Sequence, residues 1–329
     1  MKRIGNLMPQ ILATENLLNA YYNARKGKSH KEPVVKFSKN IFENIIQIRD
    51  SLRDGSFRLG RYHYFNIYDP KLRVICAASF EERILHHAIM NVCKPYFERN
   101  FIFDTYASRE GKGIYAAINR ARVGMRRYEY VAKLDVRKYF DSIPHNLLRA
   151  KLRRVFKDAE LLSLFDRIID SYCVVSGRGI PIGNLTSQYF ANFYLSSLDH
   201  YVKEGLGVPL YVRYMDDMLL FGHSREAVRA YVEKISQYVD RELKLSIKPP
   251  LIEKSVRGVI FLGYLLSRTK ILLSRRSKVR FKGKMSKYDK LLVSGVWTEA
   301  QYLQHITPLL AFVRVAYTKQ LRAKVCSEN

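Results

Sequence analysis

The sequence predicts an α+β fold in which helices are combined with an antiparallel sheet. The first observation behind this class is the order of the segments. Strand, helix, helix, hairpin, helix and strand patterns follow one another, without the regular strand–helix alternation of a doubly wound parallel sheet. The second is that the chain has neither a G-x-G-x-x-G run after a strand nor a G-x-x-x-x-G-K-[ST] run, so these two nucleotide-binding motifs are absent.

The chain is strongly basic. It has 329 residues, of which 57 are Lys or Arg and 30 are Asp or Glu, so its formal charge is +27. The basic residues recur along the chain among 23 Tyr and 17 Phe and do not form a single tail. Some of them only keep the surface soluble, but a positive surface of this extent attracts polyanions, and nucleic acid is the commonest such partner. The hydrophobic fraction of 47% is enough for a substantial core.

Cysteine spacing and hydropathy predict an intracellular protein. The four cysteines form no C-x-x-C pair, so we predict reduced, mostly buried thiols and not disulfides or a zinc site; they are Cys76, Cys93, Cys173 and Cys326. The chain has no run of about 18 apolar residues, and its N-terminus lacks the apolar core of a signal peptide. We therefore expect a cytoplasmic protein that does not cross a membrane.

Periodicity places the elements along the chain. Helices are predicted at 7–25, 39–52, 81–100, 112–127, 146–173 (with a break near Lys157-Asp158), 185–202 and 225–243, with a loop at 25–33. A hairpin is predicted over 57–78 with its turn at Asp69-Pro70-Lys71, and a strand with a glycine kink over 259–264. From Arg275 to Lys290 the chain is basic with one acid, so a domain boundary is predicted near Leu273.

Two aspartates are predicted at the tip of a hairpin. Tyr214-Met215-Asp216-Asp217, named here the aspartate turn, lies between two runs of β-branched, aromatic and aliphatic residues. Aspartates are common in turns and often only face solvent. A third carboxylate, Asp135, closes the short buried strand 130–134. Three carboxylates would form an all-oxygen site that suits Mg²⁺. Two such ions about 3.5–4 Å apart can promote in-line phosphoryl transfer, and without metal the like charges would repel one another.

Four segments, in this order, resemble motifs of reverse transcriptases over about residues 57–290. Lys71-Leu72-Arg73-Val74-Ile75, followed by Glu82-Arg83-Ile84, is similar to the fingers strand whose basic residues bind the incoming triphosphate. The stretch from Lys133 to Asp141 resembles the first catalytic motif, and the aspartate turn resembles the second. The segment similar to the primer grip, the hairpin that holds the primer end, is Phe261, Leu262, Gly263 and Tyr264. Four ordered matches are far more specific than one.

The resemblance implies a role for each matching residue. Asp135 and Asp216 would bridge two Mg²⁺ ions, Asp217 would lie beside the primer hydroxyl, and the carbonyl of Val136 would ligate the nucleotide-side ion. Lys71 and Arg73 would hold the phosphates of the dNTP, unless they are only surface charges. Lys248 would protonate pyrophosphate, although Pro249-Pro250 disturbs the pattern of that motif.

Phe140 matches the aromatic residue that excludes a ribose 2′-hydroxyl, although a lone Phe is more often a core residue. Viral RNA-directed RNA polymerases carry an acid at that place, whereas here the acid is one residue later, at Asp141. This spacing favours deoxynucleotides.

One segment departs from most members of the family. In the motif that contacts template and nucleotide, Ile182 stands where most intron, retron and retroviral enzymes have Gln, and Gln188 stands where bacterial ones usually have Pro. This pattern, together with the opening 13–21, resembles the enzymes of diversity-generating retroelements. The resemblance implies a bacterial or phage-encoded enzyme that copies a template-repeat RNA with errors opposite adenine. It also implies mutagenic retrohoming of the cDNA and a small basic accessory variability protein, an oligomer, as partner.

The resemblance further implies a right-hand polymerase with three parts. These are N-terminal helices and fingers at 1–125, a palm at 126–273 with part of the fingers at 145–180, and a helical thumb at 274–329. We expect no ribonuclease H, endonuclease or integrase domain. Three alternatives stay open: an accurate retron or group II intron-like reverse transcriptase, an RNA-directed RNA polymerase, and a non-catalytic RNA-binding protein. Ile182 and Gln188 argue against the first, Phe140 against the second, and the three intact aspartates against the third.

Overall fold

The structure, a computed structural model, describes residues 2–68 and 72–327. Four of its helices begin at a residue whose side chain caps the first turn. Ser79, Asp158, Ser274 and Thr298 each accept a backbone N–H from the first turn of the helix that follows. The α-helices are α1 (Met8–Ile11), α2 (Thr14–Arg25), α3 (Glu32–Ser38), α4 (Ile41–Arg53), α5 (Phe80–Glu98), α6 (Ile114–Arg127), α7 (Tyr139–Ser142), α8 (His145–Val155), α9 (Ala159–Asp170), α10 (Leu185–Tyr194), α11 (Ser196–His200), α12 (Arg225–Arg241), α13 (Arg275–Val293), α14 (Glu299–Arg314) and α15 (Lys319–Ser327).

The strands pair antiparallel throughout the three sheets. They are β1 (His63–Tyr68), β2 (Leu72–Ala77), β3 (Tyr130–Asp135), β4 (Leu210–Tyr214), β5 (Asp217–Gly222), β6 (Leu251–Lys254), β7 (Val259–Phe261), β8 (Tyr264–Leu266) and β9 (Ile271–Leu273). β1 and β2 form a hairpin, the order β4-β5-β3-β6 forms the four-stranded sheet, and β7-β8-β9 forms the third sheet. The predicted α+β class with an antiparallel sheet is confirmed.

Several predicted elements differ in detail. The helix predicted at 7–25 is two helices, because the chain turns at Leu12 and Ala13 between α1 and α2. The predicted loop 25–33 ends earlier than expected, since α3 begins at Glu32 with a proline in its first turn, where a missing N–H costs nothing. The helix predicted at 185–202 is interrupted at Leu195 and runs into a π-helical turn at Tyr201–Gly205. The turn predicted at Asp69-Pro70-Lys71 lies outside the described residues.

The chain forms two compact units. The first consists of residues 1–103, 136–200 and 237–246, and the second of residues 104–135, 201–236 and 247–329. These units do not follow the three-part division into 1–125, 126–273 and 274–329, which stays a prediction.

The first unit is a helical assembly with the β1–β2 hairpin. Helix α2 packs on α5, and α5 packs on α10. Aromatic side chains fill the interior: the ring centroids of Phe97 and Phe193 are 5.3 Å apart, and those of Phe165 and Phe190 are 5.2 Å apart. Offset and edge-to-face rings of this kind stabilise a core beyond their buried area. The two strands of the hairpin, by contrast, are largely exposed along their length.

The second unit contains the four-stranded sheet with α6 packed on it. Gly124 of α6 lies against the ring of Phe221 on β5: a Cβ atom added at Gly124 would be 2.6 Å from that ring. Only a glycine allows the helix to approach so closely. The same buried core includes residues of the β7-β8-β9 sheet and of α13 and α14, among them Phe261 and Phe281.

Cysteine exposure and hydropathy were also predicted. Cys76 and Cys93 are buried as expected, but Cys173 is exposed because it lies in the loop after α9; the side chain of Cys326 lies outside the described residues. Within residues 2–68 and 72–327, no helix combines the length and apolar character needed to cross a bilayer.

Candidate active site

Sheet register brings two of the predicted carboxylates together. β3 and β5 pair antiparallel with Asp135 directly opposite Asp217. Directly opposed residues on neighbouring strands project from the same face, with Cβ atoms about 4.5–5.5 Å apart. Met215 and Asp216 form the two-residue turn between β4 and β5, and Asp217 is the first residue of β5. The three aspartates therefore lie at one end of the four-stranded sheet, all within the second unit.

A buried arginine donates a hydrogen bond to the backbone of the aspartate turn. Met215 has a φ of 56°, a left-handed conformation that costs a non-glycine residue about 1–3 kcal/mol. The guanidinium of Arg213, which is fully buried, donates a hydrogen bond of 3.0 Å to the carbonyl of Met215. The backbone N–H of Arg213 donates to the carbonyl of Asp104, and its carbonyl accepts from Tyr106, both at 3.0 Å. These bonds fix the strand that carries the turn.

Asp217 is the most perturbed carboxyl of the site. Its pKa is raised to about 7, chiefly by burial and also by the negative charges of Asp135 and Asp216, while the ammonium of Lys133 acts in the opposite direction. One carboxylate oxygen, Oδ1, is buried and has no hydrogen-bond partner among the described residues. A buried carboxylate oxygen without a donor is costly unless a cation compensates it.

Each of the two carboxylates paired across β3 and β5 is in contact with a lysine. The Nζ atom of Lys133 lies 3.4 Å from Oδ2 of Asp217 and donates a hydrogen bond of 2.8 Å to the carbonyl of Ile260. The ammonium of Lys248 forms an ion pair with Asp135, and its backbone N–H donates to the Asp135 carbonyl at 2.9 Å. Lys248 therefore lies at the predicted site, in contact with a carboxylate; its role toward pyrophosphate stays a prediction.

The carboxylates fit hard divalent cations. They supply oxygen ligands only, and the orphaned Oδ1 of Asp217 lies beside two further negative charges. Among the described residues, however, no three His, Cys, Asp or Glu side chains converge as a ready metal site. The ammonium groups of Lys133 and Lys248 partly neutralise the carboxylates in this arrangement. Asp135, Asp216 and Asp217 are the residues that would hold such ions.

The predicted primer grip is a tight hairpin and not a kinked strand. β7 and β8 pair with Phe261 opposite Tyr264, and the turn consists of Leu262 at φ 49° and Gly263 at φ 89°. A Cβ atom at Gly263 would be 2.9 Å from Oγ of Ser277, which donates to the Gly263 carbonyl at 2.7 Å. The expectation of a single strand with a glycine kink at 259–264 is wrong, because two consecutive left-handed residues, Leu262 and Gly263, reverse the chain there.

Four of the predicted nucleotide-pocket residues belong to the first unit, namely Arg73, Phe140, Ile182 and Gln188, and so does Val136, whereas Lys248 belongs to the second. The carbonyl of Ile182 accepts a hydrogen bond of 2.8 Å from the N–H of Cys76 on β2, the strand that carries the exposed Arg73. The carbonyl of Phe140 accepts one of 3.0 Å from Ile180. These bonds connect β2, the loop before α10, and the segment after β3.

The side chains of the predicted nucleotide-pocket residues are only partly buried. Phe140, Ile182 and Gln188 are half-buried, and Gln188 lies in the first turn of α10, where its N–H donates to the Asn184 carbonyl. Lys71 lies outside the described residues. The assigned roles of all these residues stay predictions.

Comparison with known proteins identifies the family. The family model described as reverse transcriptase (RNA-dependent DNA polymerase) matches residues 68–266, which include the aspartate turn, Asp135 and the hairpin β7–β8. This match covers more than half of the chain. The chain therefore belongs to the reverse transcriptase family, and the predicted enzyme class, RNA-directed DNA polymerase, and the right-hand polymerase fold are confirmed. Members of this family use divalent metal ions, in agreement with the carboxylate site.

Individual relatives are distant. The chain is 25% identical over 271 residues to protein YkfC of Escherichia coli, which covers 67% of this chain and 70% of that protein. It is 26% identical over 218 residues to the putative COX1/OXI3 intron 2 protein of Saccharomyces cerevisiae, covering 61% of this chain but 25% of that protein. It is 24% identical over 132 residues to the retron Ec73 reverse transcriptase of Escherichia coli, covering 36% and 42%.

Among solved structures, apo telomerase from Candida tropicalis is similar at a TM-score of 0.49 and 12% identity. The similarity covers 69% of this chain and 52% of the telomerase chain.

Sequence reasoning did not assign a role to Lys133 or Arg213. Both lie within two or three residues of one of the three site aspartates, and a basic residue on a predicted strand beside a carboxylate is the signal that could have found them. Lys133 is on the same face of β3 as Asp135, because side chains alternate along a strand. Arg213 is less predictable, because a fully buried arginine is rare.

Proposed function

We propose that this chain is the reverse transcriptase of a diversity-generating retroelement, which copies a template-repeat RNA into cDNA with errors opposite adenine. The observation that carries the proposal is Ile182 before Gly183, followed by Ser187 and Gln188. Most intron, retron and retroviral enzymes have Gln at the place of Ile182, and bacterial ones usually have Pro at that of Gln188. The cDNA would serve mutagenic retrohoming into a variable region of a target gene.

The position of Ile182 supports this subtype. Its backbone is tied to Cys76 of β2, and Gly183, at φ 125°, lies so close to β2 that a Cβ atom would be 3.0 Å from Ile75. The loop is therefore firmly positioned while the Ile182 side chain stays half-buried. A Gln at this place could make directional hydrogen bonds that a mispair would break, at about 1–3 kcal/mol each. An isoleucine offers only apolar contact, which tolerates a displaced base.

The polymerisation chemistry follows from the carboxylates. In this proposal Asp135 and Asp216, with the carbonyl of Val136, hold two Mg²⁺ ions, which when bound would activate the primer hydroxyl and stabilise the leaving phosphate oxygens. Asp217 orients the primer end. The dNTP is bound by its phosphates and sugar through Lys71, Arg73, Phe140, Gln188 and Lys248.

The partners follow from charge and from the subtype. The exposed lysines and arginines of α13 would bind the primer–template duplex, and the template-repeat RNA would supply further phosphate contacts. The hairpin with Phe261, Leu262, Gly263 and Tyr264 would hold the primer end. A small basic accessory variability protein, an oligomer, would complete the assembly in the cytoplasm of the bacterial host.

An accurate retron or group II intron-like reverse transcriptase is the second candidate. It is favoured by the relatives named above, which include a retron enzyme and an intron protein. The two candidates predict different neighbouring loci. A template repeat beside a near-identical variable repeat that differs at adenines belongs to the first, and a structured retron or intron RNA belongs to the second.

Ile182→Gln tests the proposed infidelity. We expect misincorporation opposite template adenine to fall about fivefold or more, with a smaller change opposite the other bases, because one hydrogen bond of at least about 1 kcal/mol is gained only by the correct pair. The measurement is deep sequencing of cDNA made from a defined RNA template, with the accessory protein added if activity requires it.

Val175→Gln is the matched control, since Val175 is an exposed apolar residue of the loop between α9 and α10. It should leave the error spectrum unchanged. An active Ile182→Gln variant with the wild-type adenine error frequency would assign the infidelity to other residues and remove the main support for the subtype.

A further inference from the structure

Lys133 lies on the carboxylate face of the four-stranded sheet. On β3 it is opposite Leu219 of β5, two residues before the Asp135–Asp217 pair. Asp217 is therefore its diagonal neighbour, and diagonal pairs on one face are within reach of a long side chain. The lysine side chain is only 24% exposed and that of Asp217 only 21%, so the pair is shielded from bulk water.

The ammonium of Lys133 has two acceptors on different elements. One is Oδ2 of Asp217 at 3.4 Å, and the other is the carbonyl of Ile260 on β7 at 2.8 Å. Ile260 directly precedes Phe261 and the turn of the β7–β8 hairpin. Because β7–β9 form a separate sheet, no strand pairing connects this hairpin to β3 or β5. The lysine provides a polar link between them.

We infer that Lys133 is a positioning residue that couples the orientation of the Asp217 carboxylate to the position of the β7–β8 hairpin. The inference rests on the proposed function in one respect, that Asp217 and this hairpin act at the primer end. A shift of the hairpin would move the shared ammonium, and the carboxylate would follow. A change in the position of the primer end would then also change the orientation of the Asp217 carboxylate.

A simpler role would be neutralisation of Asp217 alone, with Ile260 as an incidental acceptor. The two roles differ in what the side chain at 133 must do. Neutralisation requires only charge, whereas coupling requires a donor to the Ile260 carbonyl as well. Lys133→Gln removes the charge but keeps a donor, Lys133→Met removes both, and Lys133→Arg keeps both.

Lys254 offers a matched control on the neighbouring strand β6. It is exposed, and its ammonium lies 5.9 Å from the ring centroid of Tyr130 and 3.9 Å from Glu129, away from the catalytic carboxylates. Lys254→Met therefore removes one positive charge from the same sheet without breaking either Lys133 contact. It should behave as wild type in every measurement below.

The first experiment tests the link without any catalysis. Hydrogen exchange of the peptide covering 258–266 should be faster in Lys133→Met than in Lys254→Met, because the hairpin loses a tether. Thermal unfolding should show non-additivity. Lys133→Met should lower the midpoint of thermal unfolding by about 2–4 °C when Asp217 is present, but it should have little effect in the Asp217→Asn background. Equal exchange in the two methionine variants, or additive shifts, would overturn the inference.

The second experiment measures what the coupling does. Single-nucleotide incorporation is followed by rapid quench on an RNA template, with 2-aminopurine at the primer terminus. Lys133→Met should lower the maximal incorporation rate about tenfold to a hundredfold, since small misplacements of reacting groups cost that much. The dNTP and duplex dissociation constants should stay within about twofold, the terminal fluorescence should rise, and Lys133→Arg should restore most of the rate.

Lys133→Gln distinguishes coupling from neutralisation alone. The two experiments together distinguish failure of the Lys133 inference from failure of the proposed function. Coupling predicts that Lys133→Gln keeps slower hairpin exchange than Lys133→Met, whereas equal exchange in these two variants favours neutralisation alone. If the wild-type chain does not extend a primer on RNA, the proposed function fails, but exchange and thermal unfolding still decide the Lys133 link. If the wild type is active and Lys133→Met matches Lys254→Met in rate and fluorescence, the coupling is wrong.

Discussion

The side chains of Asp135 and Asp217 are fixed by strand pairing on a buried sheet, whereas Arg73, Phe140 and Ile182 are held chiefly through the backbone of a hairpin, the short helix α7 and a loop. The first region has defined register, an arginine beneath its turn and cationic partners for its carboxylates. The second has backbone links at Cys76 and Ile180 and side chains that are exposed or half-buried. If the proposed roles hold, the chemistry depends on a rigid scaffold, while the choice of substrate depends on side chains that can be exchanged at little structural cost.

The strongest test of this contrast removes the charge from the aspartate turn. The combined change Asp216→Asn and Asp217→Asn should lower dNTP incorporation by at least about a thousandfold, because neutral amides cannot hold the cations that the reaction needs. RNA affinity, which depends on phosphate contacts elsewhere, should change little. Primer extension and a filter-binding titration are the measurements.

Asp240→Asn on the exposed face of α12 is the control for loss of an acidic residue, and it should extend primers normally. If the double variant of the aspartate turn retained normal extension, the carboxylate face would not be the catalytic site.

A smaller effect is expected in the other region. Phe140→Ala should open the sugar pocket, so that incorporation of rNTPs rises relative to dNTPs by about tenfold or more, the scale expected when a bulky apolar contact is lost. The fold should persist because Phe140 is only half-buried. Competing single-turnover incorporation of the two nucleotides provides the ratio.

Phe140→Tyr keeps the ring and should keep the wild-type discrimination. A ratio that stays constant in Phe140→Ala would make Phe140 a packing residue, next to Tyr139 at a centroid distance of 5.8 Å, and would weaken the contrast between the two regions.

The smallest effect on catalysis is expected from α13, whose basic residues are mostly exposed. Replacing Lys278, Lys282 and Lys284 with Gln should weaken duplex binding and reduce the log–log salt slope by about 2–3, or about 0.7–0.9 per phosphate contact. The rate at saturating duplex should be nearly unchanged. Binding titrations across a range of salt concentrations give the slope.

A control of equal charge comes from α12, with exposed basic residues at Arg225, Arg229 and Lys234. If both triple variants change the slope equally, binding reflects the overall charge of +27 and not a specific contact of α13.

The sequence predicted the arrangement of the carboxylates better than that of the predicted nucleotide pocket. Strand propensity on both sides of the aspartate turn is enough to predict the β4–β5 hairpin, and a strand that ends at Asp135 suffices to suggest a shared site. The pairing of β3 with β5 was not predictable, because strand order depends on contacts between distant segments. Lys133 was overlooked for the same reason, since its acceptor Ile260 is 127 residues away in the chain.

Local errors had local causes. The turn at Leu262 was missed because leucine rarely adopts a left-handed conformation, and only Gly263 signalled the reversal. Cys173 was expected to be buried from its apolar neighbours, but Val174 and Val175 beside it are exposed as well. Apolar residues in a loop do not follow the burial rules of helices and strands, because no periodic face directs them inward.

Gly124 links helix α6 to the strand that carries Asp217. Its missing side chain leaves room for Phe221, which lies on the same face of β5 as Asp217. A single added methyl group would have to displace that ring, and the strand that carries Asp217 would bear the displacement. In a library of random variants, position 124 should therefore tolerate substitution almost as poorly as the aspartates. The set of residues that selection must preserve is larger than the set that chemistry uses.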